Sequence, residues 1–262
     1  MLYSPVMSSK GAHPHTNALV PPVEKLYDGT SSVEQFVAFG EGFVHELLVP
    51  RARLHPTDVF LDLGCGNGSV ARALTGFLGP DGRYEGLDIN RESVEWLQAH
   101  YQGHPTYRFS HANVYNKMYN ASGPVTAAEY RLPYLDSTFS IALLKSVFTH
   151  MHPRDVRHYL KELSRVLRPG GRAVITYFLL NDESRRYVAA GLDQVKMPCD
   201  WDDPLCKVAN LEVPEAATAH DEARIRQYTG EAGLAVAEIV FGNWCGRPSL
   251  LGLQDMMLLI KA

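Results

Sequence analysis

The chain has 262 residues, 45% of them hydrophobic, and a formal net charge of −4 at neutral pH. That length and apolar content suit one α/β unit with insertions and a large core, and an acidic balance without any basic block argues against a general nucleic-acid binder. No stretch approaches the ~20 apolar residues of a membrane span, and Met1-Leu2-Tyr3-Ser4-Pro5 lacks the charged start and apolar run of a signal peptide; the expectation is a cytoplasmic protein without membrane or nucleic-acid partners.

Residues 1 to 30, with Pro5, Pro14, Pro21 and Pro22 among small polar residues, read as an irregular segment, and residues 31–262 as a single domain. Ser31-Ser32-Val33-Glu34 has the form of a capping box. Phe36, Phe39, Phe43, Val44, Leu47 and Leu48 then recur at helical spacing until Pro50, which predicts an amphipathic helix ahead of the sheet.

Next comes an apolar run, Val59 to Leu63, that carries an acid and breaks into Gly64-Cys65-Gly66-Asn67-Gly68 before Ser69-Val70-Ala71-Arg72-Ala73-Leu74 starts a helix. Glycines at every second position remove the side chains that would block a ligand, and the free N–H groups of the helix face the same spot. A dinucleotide fingerprint needs G-x-G-x-x-G, but its third slot here is Ser69, which counts against a nicotinamide-dependent dehydrogenase. Asp62 just before the bend is a poor neighbour for phosphate and a good one for an ammonium. Arg83 to Ile89 reads as a second buried strand ending in Asp88, about 20 residues past the glycines, where a carboxylate accepts hydrogen bonds from ribose hydroxyls. Asn90 then caps a helix with Val94, Leu97 and Tyr101 on one face.

Farther along, strands are predicted near 58–63, 83–89, 106–111, 139–145, 171–178, 235–241 and 254–260, with helices near 67–78, 90–101, 153–168 and 221–232. Alternation of the two predicts a parallel sheet covered on both faces. Val156, Tyr159, Leu160, Leu163, Val166 and Leu167 form one apolar stripe, begun by Pro153 and stopped by Pro169-Gly170-Gly171. The last two strands are joined by a loop with Gly242, Gly246, Pro248 and Gly252 and no helix, so the final strand is expected to be antiparallel. Cys65, Cys199, Cys206 and Cys245 show neither CxxC nor zinc spacing; free thiols are expected, and Asp200-Trp201-Asp202-Asp203 is read as a solvated acidic loop rather than a metal site.

Asp62-Leu63-Gly64-Cys65-Gly66-Asn67-Gly68 resembles motif I of the class I S-adenosylmethionine-dependent methyltransferases, (D/E)-x-G-x-G-x-G, at every defined position, and the resemblance extends over roughly residues 57 to 180. Tyr107 to Val114 looks like the third strand and its exit, Phe139 to Met151 like the fourth strand and the segment beside the transferable methyl, and Leu163 to Arg172 like the helix-to-strand turn of the small-molecule type. The resemblance implies a seven-stranded Rossmann-like doubly wound sheet, mostly parallel with an antiparallel last strand. It also implies S-adenosyl-L-methionine as cofactor, with S-adenosyl-L-homocysteine as product. Asp62, Gly64, Cys65, Gly66 and Gly68 would hold the methionyl part, Asp88 the ribose, and Asn113 with Val114 the adenine, and Ile89 and Lys145 are counted with them as cofactor-binding.

Two insertions depart from the family pattern, near 115–135 and 179–218, and long loops at the carboxyl ends of strands usually carry function. Tyr115, Tyr130 and Tyr177 are candidates to meet the acceptor, expected to be a small molecule. For a hydroxyl acceptor, His150 is the candidate general base, since an imidazole suits proton removal near neutrality; His152, Tyr115 and Glu183 are the other groups in reach of that role. Oxygen is the expected target. Methylation of nitrogen or carbon, or a non-catalytic domain that binds the nucleoside and acts through a partner, are the alternatives, and the oligomeric state is open.

Overall fold

The structure is a computed structural model that describes residues 19–26, 30–201, 206–249 and 252–262. Most of the expected irregular N-terminal segment, and Asp202 and Asp203 of the acidic loop, lie outside the described residues. The chain divides into two compact units, the first ending at Ala112 and the second beginning at Asn113.

In the first unit, α1 (Val33–Gly42) starts one residue later than the capping box was read. Gln35 N–H donates to Ser32 Oγ at 3.2 Å, and the Gln35 side-chain oxygen accepts from Ser31 N–H at 2.9 Å, so Gln35 rather than Glu34 closes the cap. From Phe43 to Leu48 the helix widens into π turns that still bury Val44, Leu47 and Leu48. β1 (Val59–Leu63), α2 (Ser69–Leu74), β2 (Arg83–Asp88), α3 (Arg91–His100) and β3 (Tyr107–His111) follow, with β1, β2 and β3 paired in parallel in that order. Phe60, Tyr84 and Tyr107 stack across the three strands, with ring centroids 5.8 and 5.1 Å apart. Asn90 caps α3 by accepting from Ser93 N–H, and Val94, Leu97 and Tyr101 are buried as the spacing requires.

Gly40 of α1 lies against the start of α2, and a Cβ there would sit 2.1 Å from the carbonyl oxygen of Ser69. Gly40→Ala gains up to ~1 kcal/mol of helix propensity but must push α1 off a backbone atom. The expected result is a net loss of about 1–3 kcal/mol in denaturant unfolding. Equal or greater stability of the variant would show that the contact yields without cost.

The second unit contains β4 (Phe139–Leu144), α4 (Pro153–Val166) and β5 (Leu167–Tyr177), then β6 (Leu179–Leu180), α5 (Asp182–Ala189), β7 (Cys199–Asp200), β8 (Cys206–Val208), β9 (Thr218–Asp221), α6 (Glu222–Glu231), β10 (Leu234–Val240) and β11 (Asp255–Lys261). β4 and β5 are parallel, and β11 runs antiparallel to both β5 and β10, giving the order β10-β11-β5-β4. With β1, β2 and β3 these make the seven-stranded, mostly parallel sheet that the sequence predicts, including its antiparallel final strand. The insertion over 179–218 is more ordered than a loop. With the residues just beyond it, it forms a second small sheet in the order β6-β9-β8-β7, and α5 is closed by a capping box in which Asn181 and Ser184 exchange hydrogen bonds. Phe178, Leu180, Met197, Ala219, Trp244 and Cys245 form a separate buried cluster beneath it.

Asp255, at the start of β11, fastens this region. Its carboxylate is fully buried and accepts from Leu179 N–H at 2.7 Å, Gly242 N–H at 2.8 Å and the Trp244 indole N–H at 2.8 Å. Among the described residues no helix is long and apolar enough to cross a membrane, and no group of three His, Cys, Asp or Glu side chains could hold a metal ion.

Candidate active site

In the first unit the chain leaves β1 through three glycines that all have left-handed backbones, with φ of 77° at Gly64, 54° at Gly66 and 85° at Gly68. An L side chain at these positions is strained, which is why the alternation of glycines is needed. At Gly68 a Cβ would also lie 2.5 Å from the Leu97 side chain. The bend is tied to the neighbouring strand: Gly64 N–H donates to Leu87 O at 2.7 Å, and Gly66 N–H donates to Asp88 Oδ2 at 2.7 Å. The other oxygen of Asp88 accepts from Asn90 N–H at 2.7 Å, so one carboxylate fixes both the glycine bend and the entry to α3.

Asp62 is buried beneath the bend and accepts from Tyr84 OH at 2.6 Å. Cys65 is buried between the two acids, and burial first, then the charges of Asp88 and Asp62, push its thiol well above the usual range. It therefore stays a neutral thiol. Ile89 is half-buried and its carbonyl oxygen accepts from His111 Nε2 at 3.1 Å.

In the second unit β4 ends at Leu144, half-buried Lys145 follows, and Ser146 takes the left-handed φ of 58°. This is an unfavourable conformation for serine. It is held by Ser146 N–H donating to Thr176 Oγ1 at 2.7 Å and Ser146 Oγ donating to the Gln254 side chain at 3.1 Å. The chain then makes a short 3-10 turn, Phe148–His150, that carries His150. The imidazole Nδ1 lies 2.6 Å from the carbonyl oxygen of Glu215, in a second 3-10 turn, Pro214–Ala216. A carbonyl can only accept, so Nδ1 carries the proton and the lone pair is on Nε2. Burial, partly opposed by that bond, lowers the His150 pKa from its usual value, which keeps the ring neutral near pH 7.

Both insertions grip this turn. Asn116 Nδ2 donates to His150 O at 3.1 Å, while Asn116 Oδ1 accepts from Met118 N–H and Tyr119 N–H at 3.0 and 3.1 Å. Tyr119 meets the imidazole edge-on, at 5.3 Å and 89°. Lys117 N–H donates to Glu215 Oε1 at 3.3 Å, and its ammonium donates to Glu212 O. Neither Asn116 nor Glu215 was singled out from the sequence. Asn116-Lys117-Met118-Tyr119 does carry the signature of an Asx turn, whereas a carbonyl such as that of Glu215 has no residue signature at all.

Residues 61–175 match the family described as a methyltransferase domain. Over that stretch the chain matches a methyltransferase domain, and its fold is the one shared by solved S-adenosylmethionine-dependent methyltransferases. The chain is 27% identical over 187 residues to the 2-phytyl-1,4-naphtoquinone methyltransferase of Nostoc sp., an alignment that covers 69% of the chain and 73% of the relative. It is 31% identical over 127 residues to the 27-O-demethylrifamycin SV methyltransferase of Amycolatopsis mediterranei, covering 48% and 41%. A solved S-adenosylmethionine-dependent methyltransferase of Methanosarcina mazei shares the fold, with a TM-score of 0.53 at 20% identity over 81% of this chain and 96% of that one. The chain spans about half the length of several curated relatives it matches.

The methyltransferase fold brings the remaining expected residues to varied surroundings. Asn113 is exposed and its side-chain oxygen accepts from Asn120 Nδ2 at 3.0 Å, while Val114 is buried and its carbonyl accepts from the same amide at 2.9 Å. Tyr115 is exposed, and Tyr130 is half-buried with its carbonyl accepting from His158 Nε2. Tyr177 is wholly buried at the end of β5, its ring 5.5 Å from Phe148 and 6.5 Å from His220, and burial pushes its hydroxyl well above the usual range. His152 packs on Trp201, and Glu183 faces Arg247 at 3.4 Å.

Proposed function

We propose that the protein transfers a methyl group from S-adenosylmethionine to a hydroxyl oxygen of a small molecule, with His150 as the general base. The single observation that carries the oxygen reading is the 2.6 Å contact of His150 Nδ1 with the Glu215 carbonyl, which puts a proton on Nδ1 and leaves Nε2 as the basic nitrogen of the neutral ring that burial favours. An amine acceptor would have no need of such a group. The Amycolatopsis relative is by name a methyltransferase of a 27-O-demethyl compound, which agrees with an oxygen target.

The first unit fits the cofactor by its chemistry. Three left-handed glycines give a bend where no side chain stands between ligand and backbone, and Asp62 and Asp88 supply the anionic character that an ammonium and a ribose diol call for. In this reading the glycine bend, with Cys65 as a neutral spacer, and Asp62 hold the methionyl part. Asp88 holds the ribose, Asn113 and Val114 the adenine, and Ile89 and Lys145 complete the cofactor-binding set. The cofactor supplies an electrophilic methyl on a sulfonium. The protein's own task is to align the acceptor oxygen, exclude water and take one proton, and alignment alone is worth about 7–11 kcal/mol at best.

Asp88→Ala is expected to weaken S-adenosylmethionine by ~1.5–3 kcal/mol in calorimetry, because a charged acceptor for hydroxyl donors is lost together with the tie to Gly66. Unchanged affinity in a variant whose thermal melt shows it folded would remove Asp88 from the site. Incorporation of labelled methyl into a metabolite pool separates the enzyme from a non-catalytic nucleoside-binding domain, since the latter binds without turnover.

A further inference from the structure

Around His150 the second unit holds buried side-chain atoms that find no hydrogen-bond partner among the described residues. Thr149 Oγ1 and Tyr177 OH belong to wholly buried residues, and Glu215 Oε2 is buried while its sister oxygen accepts from Lys117 N–H. All three adjoin the turn that carries the base. Thr149 precedes it in the chain, Tyr177 packs on Phe148 of the same turn, and Glu215 holds the imidazole through its own carbonyl. Buried polar atoms nearly always find a partner, so three orphans around one functional group mark where polar atoms of a bound molecule belong. One is a carboxylate oxygen, which only accepts, and two are hydroxyls, which donate or accept.

Apolar surface borders the same place. Tyr115, Met118 and Leu211 are 41%, 50% and 58% exposed, and they lie on the two segments, 115–119 and 211–215, that Lys117 ties together. Tyr119 stands edge-on to the imidazole. Such surface is covered well by a flat apolar body. The neutral imidazole is also a modest base, effective on an acidic aromatic hydroxyl and poor on an aliphatic one.

Building on the proposed methyl transfer, we propose that the acceptor is a planar aromatic ring bearing two hydroxyl groups. One hydroxyl is placed at His150 Nε2 and the other donates to Glu215 Oε2, with the apolar remainder against Tyr115, Met118 and Leu211. As the first oxygen forms its bond to the methyl carbon, its proton passes to Nε2. The carbon–sulfur bond breaks with its electron pair returning to sulfur. Positive charge thus moves from the sulfonium to the imidazolium, which releases its proton to water. Glu215 acts twice, orienting the base through its backbone and selecting the acceptor through its side chain.

The test uses the full chain with labelled S-adenosylmethionine and a matched set of probes: vicinal and para dihydroxynaphthalenes, 2-naphthol, 2-naphthylmethanol and 2-naphthylamine, with cofactor affinity measured on the same preparation. The expected result is a methyl ether from a dihydroxynaphthalene with kcat/KM at least about tenfold above 2-naphthol, and no product from the alcohol or the amine. Glu215→Gln keeps the carbonyl that holds His150 but weakens the acceptor for the second hydroxyl, and should lower that preference about tenfold, mainly through KM. Thr149→Val, isosteric and away from the carboxylate, should raise KM for the dihydroxy probe several-fold and gives a second readout if the glutamine variant fails to fold. Cofactor binding without methylation of either dihydroxynaphthalene, equal rates on 2-naphthol, or variants that leave the preference intact would each overturn the inference. Failure to bind the cofactor at all would instead overturn the methyl-transfer reading on which it rests.

Discussion

Replacing His150 by alanine is expected to slow methyl transfer about 10²–10⁴-fold while leaving cofactor affinity within about twofold, the usual range for loss of a general base. His150→Gln makes the comparison cleaner. Its amide can still donate to the Glu215 carbonyl and so preserve the junction between the two turns, yet it offers no basic nitrogen. Both variants should therefore lose activity together if the lone pair on Nε2 matters. Recovery of most activity by glutamine would make His150 a strut. The pH dependence carries a matching sign: burial lowers the pKa of His150, so kcat/KM should fall on the acid side with a midpoint below the ordinary ~6.5, as Nε2 takes a proton that it cannot then take from the acceptor.

Asp255→Ala should cost about 3–5 kcal/mol of stability, since three buried N–H groups, from Leu179, Gly242 and Trp244, lose their acceptor at once. Asp255→Asn tests the charge separately, because an amide cannot accept on both sides and leaves at least one of those donors facing another donor. Burial, the largest effect, outweighs the three donors and lifts this carboxyl from its ordinary 3.8 to about 6. A raised acid binds more protons folded than unfolded, so its contribution is fully present below pH ~4 and is lost as pH rises through about 6. Two units correspond to about 3 kcal/mol. Denaturant unfolding of the wild type between pH 4 and 7 should show this decline and the asparagine variant should lack it; identical profiles would mean that Asp255 titrates normally.

How far the chain could be read depended on whether a residue's chemistry or only its position did the work. Gly64, Gly66 and Gly68 were legible because a left-handed backbone leaves almost no other residue type, and the antiparallel last strand was legible from a glycine-rich connection with no helix in it. The strands β6 to β9 were not, because two to four residues are too few to show a period of two, and their pairing depends on contacts far along the chain. The π turns after Gly42 were missed for a related reason: Phe43, Val44, Leu47 and Leu48 satisfy an ordinary helical spacing equally well.

In the site, His150 could be proposed from its place after the fourth strand, but its tautomer rests on a backbone oxygen 65 residues away. Asp88 was read as a ribose ligand, and what the structure shows of it is the peg on which Gly66 and Asn90 hang. A carboxylate with several lone pairs can serve its own chain and a ligand together, and sequence pattern does not reveal the first use. Tyr177 was read as meeting the acceptor; its ring packs against Phe148 and His220, and its hydroxyl is buried with it, a setting that its place at the end of a strand did not announce.

The clasp formed by Asn116, Lys117 and Glu215 sets a rule for re-engineering. Grafting one foreign insertion would strip His150 of either its carbonyl anchor or its amide brace, so exchange of specificity between homologous scaffolds has to move residues 115–134 and 206–218 as a matched cassette. The glycine bend belongs to the other compact unit and need not be part of the transplant.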